Sequence, residues 1–473
     1  MKELEKLIER VVNRININLR EPAFDSGPYL RSIVPLKQFG RFYAFYALTP
    51  HHPLHFRFHG SSLGGSYFLG KCFVDHSVLY KSDIRGDELK CRGDVFRYGG
   101  LEIPLHDDEV IHIKDSYLIK TLVHNYSHDP ENLEEFLICN TASTHYANIH
   151  GSTVEGCFLG PFSTVDLTTL HDCVIGAFAY VQVGELSHEW VPAGEIRIEA
   201  GDRFRFNYHF DADLLKAYIH MEPGTVPQGI LMDFMEDRKT EFQRIFDVVH
   251  LKAPIPISQG TSLSRYAVVK GDTHVDANVL VAQRAYLEDA WLGKGSNAQE
   301  NCCIIHSRLE GENVTAHGGK LVRTRLGKKV FVGFNSFLRG MEDAPLTIGE
   351  GSVVMPHTII DIREPLEIPP NHLIWGLIRN REDLKVHSLD LDDFAKIGGR
   401  YDLGRMRFEG DGAVFVEAFR HRIEHILEAN GAYFDGRGNR GHAQKDQDIS
   451  YNMIQPYPKG RLKGLYPSID IRP

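Results

Sequence analysis

Between residues 269 and 360 an aliphatic side chain recurs at every sixth position. Val269, Val275, Val281 and Leu287 form one row; Leu292, Ala298 and Ile304 a second; Leu326, Val332 and Leu338 a third; Ile348, Val354 and Ile360 a fourth. A helix repeats its apolar face every 3.6 residues and a strand every two. A period of six fits neither unless the strands are short and each turns a corner. That is the pattern of a parallel β-helix, whose stacked coils point one aliphatic residue per short face inward. Glycine follows the aliphatic position in Leu292-Gly293, Leu326-Gly327, Val332-Gly333 and Ile348-Gly349, where it permits a corner that a β-carbon would obstruct. The chain is therefore read as mainly β, with a left-handed parallel β-helix over residues 258–376.

At 473 residues the chain exceeds one ordinary core, and two or three domains are expected. The pattern divides it into 1–50, an opening helix and extended segment; 51–205, a first, irregular β-helical part; 206–257, a helical connector; 258–376, the β-helix; and 377–473, a helix and extended tail. In the first part the six-residue step survives only in pairs such as Leu63/Leu69, Leu159/Val165 and Ile175/Val181, and HNYSHDPENLEEF reads as a long insertion. Val416, Phe419, Ile423, Ile426 and Leu427 share a helical face that Gly431 ends. The tail stretch YNMIQPYPKGRLKGLYPSI reads as draping over a neighbour. Flat-faced coils of this kind pack side by side, so a homotrimer is expected, with sites in the clefts between subunits; two β-helical parts in tandem also allow internal pseudo-symmetry instead.

Composition narrows the partners. With 63 acidic against 53 basic residues and a net charge of −10, the chain as a whole does not suit nucleic acid or an anionic membrane. No apolar run approaches the ~20 residues of a membrane span. The opening MKELEKLIERVVNRINI has no apolar signal core, and its Leu4, Leu7, Ile8, Val11, Val12 and Ile15 mark an amphipathic helix, which predicts a cytoplasmic protein. Seven cysteines without metal-type spacing read as reduced thiols.

The chemistry-bearing residues cluster in order: Lys270-Gly271-Asp272, then Gln299-Glu300-Asn301-Cys302-Cys303-Ile304-Ile305-His306, then Val314-Thr315-Ala316-His317, then Val332-Gly333-Phe334, and last Ile368-Pro369-Pro370 with Gly376. In this order they resemble the γ-class carbonic anhydrases of the hexapeptide-repeat superfamily, trimeric proteins that read RGD, NIQDNCVIH, VTVGHxxxLHGC, VGM and IPP…G. The resemblance covers about 110 residues, roughly 265–380. It implies that Lys270 and Asp272 stand where the family has its subunit-bridging pair. Gln299 matches the glutamine near the metal-bound water, and His306 and His317 match two zinc-binding histidines, the second donated across the subunit interface. The family's third ligand lies five residues after the second. Here that position is Val322, and Val322-Arg323-Thr324 replaces His-Gly-Cys. One extra residue also stands between Gln299 and His306.

Catalytic zinc keeps three protein ligands and one open position, where bound water has its pKa lowered to ~7. Two imidazoles alone hold zinc, or another divalent metal, weakly. A third ligand would come from His274, His357, His145, His150, Glu300 or Glu312, or else the metal is lost and the fold kept. Plainer readings stand beside these. His306 and His317 suit structural corners. Lys270 and Asp272 suit an intersubunit ion pair better than catalysis. Arg85-Gly86-Asp87 and Arg92-Gly93-Asp94 suit turns, and the stretch from Thr144 to His150 suits a surface or packing role. Three functions follow for a small-molecule substrate. One is a metal-dependent lyase or hydrolase acting through metal-bound hydroxide, with Gln299 orienting the nucleophile. The second is a hexapeptide acyltransferase using acyl-CoA, with His317 as general base. The third is a non-catalytic trimeric scaffold.

Overall fold

The six-residue rows become three-sided coils. In the computed structural model, residues 1–31, 33–49, 54–98, 100–126, 136–246 and 255–472 are described. They divide into two units, Met1–Glu195 with Ala212–Ile230 and Ile449–Pro473, and Ile196–Asp211 with Leu231–Asp448. The second unit holds a left-handed β-helix of three parallel sheets, which begin at Ser262–Leu263, Val268–Lys270 and His274–Val275. Strands are two or three residues long, one per face. Val275, Val281, Leu287, Leu292, Ala298, Ile304, Leu326, Val332, Leu338, Ile348, Val354 and Ile360 lie in one buried cluster, with Val269 packed against it. At about 1.5–3 kcal/mol for each buried aliphatic side chain, this column is the main source of the unit's stability.

The slips between rows have a simple origin. From Val275 the inward positions run Val281, Leu287, Leu292, Ala298, Ile304, Leu309, steps of six, six and five. A coil therefore takes 17 residues, as when Leu280 lies beside Asn297. In the first unit the inward residues Ile149, Val154, Leu159, Val165, Leu170, Ile175, Val181, Leu186 and Val191 share another buried cluster. Their steps are five, five and six. Asn148 pairs with Thr164 and Thr164 with Tyr180, 16 residues on each time. The six-residue pattern is faint there because only one step in three is six; the coils themselves are regular. Leu63 is inward, but its successor is Phe68 rather than Leu69. The insertion expected at HNYSHDPENLEEF lies mostly outside the described residues. A second excursion forms an antiparallel hairpin, Val95–Tyr98 with Leu101–Pro104.

The flanking segments follow the sequence with two corrections. The helix Lys2–Asn18 buries Leu4, Leu7, Ile8, Val11, Val12 and Ile15, and Gly412–Asn430 ends at Gly431, whose φ is 81°. The connector is not one helical stretch. Pro223, Gly224 and Pro227 interrupt it, leaving Ala212–Lys216, Ile230–Glu236 and Lys239–Phe246; residues 247–250 lie outside the described residues. The tail returns to its own chain. Ser450–Ile454 pairs antiparallel with Ala44–Leu48, and Ile469–Ile471 with Phe56–Phe58. Both cover sheet edges that would otherwise be open.

Glycine plays a different part from the one expected. Gly293, Gly327, Gly333 and Gly349 are absent from the left-handed positions. A β-carbon at Gly293 would stand 2.5 Å from the Glu310 carbonyl oxygen, and one at Gly327 2.6 Å from the Glu350 nitrogen. The constraint is the approach of the next coil's backbone. Left-handed corners fall elsewhere, on Asn278, Asn301, Asn335 and Asn371 among others, a conformation asparagine tolerates. Gly327→Ala should therefore cost about 1–3 kcal/mol through overpacking. Gly351, at φ +71° with open space around its β-position, should accept Asn within about 0.5 kcal/mol. Urea unfolding of the two variants checks this; equal losses would contradict it.

Candidate functional site

Corners gather the polar side chains, because the alternation of a strand ends there. His317 precedes the left-handed Gly318, and Glu300, one coil earlier, precedes the left-handed Asn301. Backbone bonding between corners, Gly318 N–H to the Glu300 carbonyl at 2.8 Å, sets one residue above the other. His317 Nδ1 then lies 2.7 Å from Glu300 Oε2, with both side chains buried. The Glu300 carboxylate therefore stands against the Nδ1 edge of the ring. Phe334 flanks the ring, centroids 5.3 Å apart. Gln299 is half-buried beside Glu300.

His306 is elsewhere. It occupies a different corner at φ 48°, half-exposed, with Nδ1 3.4 Å from Asp289 Oδ2. His306, Asp289 and Glu288 have ligand atoms within 4.8 Å of one another, an exposed group of ordinary surface character. The unit does not bring His306 and His317 together. Val322 is buried in the strand Lys320–Val322, between Ile305 and Arg339 of the neighbouring coils. At the position of the family's third ligand, Val322 offers no donor atom. Lys270 is engaged within its own chain, 3.0 Å from Glu241 and 3.4 Å from Glu288. The Tyr286 hydroxyl, then Glu241, raises its pKa. Asp272 is exposed, and its backbone N–H donates to Asp289.

Other groups emerge only in three dimensions. Lys320 is buried; burial lowers its pKa to about 8, and its ammonium donates to the Gly318 carbonyl. Cys302 and Cys303 lie near it, and burial raises both thiols, Cys302 to about 12. In the first unit His150 Nδ1 lies 2.8 Å from Asp166 Oδ1, and the Tyr180 hydroxyl donates to Asp166 Oδ2 at 2.5 Å. His124, one coil earlier, sets its ring centroid 5.1 Å from that of His150 and lies 3.5 Å from Glu88. His145 and His150 are both buried rather than on the surface. A signal for them existed. His145 and His150 are five residues apart, the spacing that the carbonic anhydrase pattern has between its last two ligands and that His317 lacks. His150 also ends its strand as Val322 ends its own.

A family model described as "Hexapeptide repeat including loop" matches residues 101–223. A crystal structure described as that of a "putative acetyltransferase" from Desulfovibrio desulfuricans G20 is 55% identical, with a TM-score of 0.94, and covers all of this chain and 99% of the other. The chain belongs to the hexapeptide-repeat proteins. No curated protein matches it in sequence. Among the described residues, no helix is long and apolar enough to cross a membrane.

Lys320 yields a pH test. Its folded pKa lies below the unfolded value, so below about 8 the fold must bury an ammonium, and that cost lifts as pH rises through the window up to the unfolded lysine value, ~10.4. Wild-type stability should therefore rise from pH 8 to pH 10 relative to Lys320→Met, measured by urea unfolding at each pH. A flat difference would mean that this amine is paired as a charge.

Proposed function

We propose that this hexapeptide-repeat protein is an acyltransferase that takes an acyl-CoA donor, with His317 as general base. The observation that carries this reading is the full-length likeness to the structure described as a "putative acetyltransferase", at 55% identity. The His317–Glu300 pair supports it chemically. Nε2 of His317 would take the proton from an acceptor hydroxyl or amine as its lone pair attacks the thioester carbonyl. The same imidazole would then return the proton to the departing thiolate. Glu300, 2.7 Å from Nδ1, would stabilise the imidazolium between the two steps. A positioned base of this kind is worth about 10²–10⁴ in rate.

Acetyl-CoA turnover, followed by release of free thiol, tests the reading. His317→Gln should lower kcat at least about a hundredfold, and Glu300→Gln should lower it less. Both should melt near wild type if the corner survives. Loss of neither activity nor binding would remove His317 from the role of base.

One observation favours a second reading, metal-dependent chemistry of the carbonic-anhydrase kind. His124 and His150 stack on adjacent coils with carboxylates close to both rings, the arrangement that orients metal-binding histidines. A divalent metal held there would supply Lewis-acid chemistry. Elemental analysis of protein purified without added zinc decides between the readings: stoichiometric metal that His150→Ala removes would displace the acyltransferase. The homotrimer remains a further proposal for a chain of 53.6 kDa, checked by sedimentation.

A further inference from the structure

The tail closes two sheet edges of the first unit, but an edge in the second unit stays bare. There Phe204–His209, Met406–Asp411 and Gly398–Leu403 form an antiparallel sheet in that order. Among the described residues, Gly398–Leu403 pairs on one side only. On the inner face Phe206 stands opposite Phe408; both are fully buried and pack on Phe415, centroids 5.7 and 5.6 Å away. The next position in that row is Tyr401, which is only half-buried. The apolar row therefore stops at the edge of the sheet without a cover. Bare edges are ordinarily guarded by proline, a bulge or lysine, and this strand has none of them.

On the exposed face the signs alternate from strand to strand. Arg205 stands opposite Glu409 and Glu409 opposite Arg400; Arg407 stands opposite Asp402, with Nε 3.2 Å from its carboxylate. Gly404 and Arg405 form a two-residue turn, so Leu403 and Met406 exchange both backbone bonds, and so do Tyr401 and Phe408. Arg400 and Asp402 therefore turn their backbone N–H and C=O to the open side. A second copy laid antiparallel, with its two-fold axis at Tyr401, sets Arg400 against the second copy's Asp402 and the reverse. The row then reads Arg205, Glu409, Arg400, and continues with the second copy's Asp402 and Arg407, alternating in sign throughout. An axis one residue to either side would set Arg400 against Arg400 or Asp402 against Asp402, which like charges disfavour. On the inner face Tyr401 meets its own copy and extends the Phe206–Phe408 row. Leu403 meets Gly399, where the space around the β-position is open.

We propose that Gly398–Leu403 is the docking edge for a second copy of this chain, paired antiparallel about Tyr401 into one continuous sheet. The contact is two-fold and self-complementary. It uses none of the coil faces, so it doubles whichever assembly those faces form.

Two experiments on the full-length protein test it. Opposed Tyr401 residues form a pair without backbone bonds, whose Cα atoms stand about 4.5 Å apart, inside the span of a disulfide. Six of the seven native cysteines are buried, Cys91 being the exception. In a Cys91→Ser background, Tyr401→Cys should be trapped by diamide as a covalent dimer on a non-reducing gel, whereas Leu403→Cys should not. No trapping, or equal trapping at both positions, would overturn the proposal. The second experiment is sedimentation of wild type and Asp402→Pro across concentration. Proline there removes an N–H that the hairpin itself does not use, so the melting temperature should stay near wild type while the dissociation constant of the two-fold step rises at least tenfold. A wild type that stays at 53.6 kDa at micromolar concentration, or equal masses for the two proteins, would overturn it. If the proline unfolds the hairpin, the disulfide trap decides alone.

Discussion

Both units depend on hydrogen bonds that run from coil to coil, and the corners are where such bonds are hardest to make. Short strands supply ladder bonds on each face, but the residue after a corner has an N–H with no strand partner. Side-chain oxygens fill that gap. In the first unit Ser77 N–H donates to Ser61 Oγ, Ser116 N–H to Ser77 Oγ, and Thr141 N–H to Ser116 Oγ, at 3.1, 3.1 and 3.2 Å. Cys157 N–H continues the series to Thr141 Oγ1. In the second unit Val279, Thr324 and His372 donate to Thr261, Ser307 and Ser352 in the same way. A buried N–H without a partner costs about 1–3 kcal/mol. One misplaced hydroxyl would therefore be felt at every coil that relies on it, and this fixes coil length more firmly than the aliphatic column does.

That constraint explains what the sequence revealed of the fold. Where coils run six, six and five, the aliphatic rows are long enough to read, and Val269 to Ile360 gave the β-helix directly. Where coils run five, five and six, the same geometry leaves only isolated pairs such as Leu159/Val165. The inward residues are as buried in one unit as in the other; only the phase is harder to recognise. The Ser and Thr ladder was equally present, but its spacings run from 16 to 39 residues, and it looks like ordinary surface polarity when read along the chain. The tail misled for another reason. Its Tyr466, buried with a hydroxyl that donates to the Phe42 carbonyl, packs into the first unit, and sequence adjacency carries no trace of a partner 424 residues away.

The site was half legible. The motif containing Gln299, His306 and His317 drew attention to this region, and His317 sits beside a buried carboxylate there. Glu300 stood beside Gln299 in the sequence but was weighed only as a spare metal ligand, because nothing in a linear motif says which side chain faces which. His306 stands on a half-exposed corner beside Asp289. Lys320 was invisible. Its burial comes from its strand, whose outward side meets the helical segment in which Phe234 packs on Phe337 and Phe242 on Tyr286.

A β-helix makes dyads by a route that helices and single strands do not have. Residues at equivalent places on consecutive coils are neighbours about 4.8 Å apart, so a carboxylate and an imidazole one coil apart will pair whenever both face the same way. Glu300 and His317 are separated by 17 residues, the coil length of their unit. His150 and Asp166 are separated by 16, the coil length of theirs. The order is reversed in the two cases, carboxylate first in one and histidine first in the other, because stacking has no preferred direction for a side-chain pair. Tyr180 extends the second pair to a third coil through Asp166. The period that finds such groups is therefore the coil itself, and it has to be measured from the inward residues before polar positions are compared. A search at spacings of three, four or five sees His145 and His150 as a pair, although the partner that orients His150 lies a full coil away.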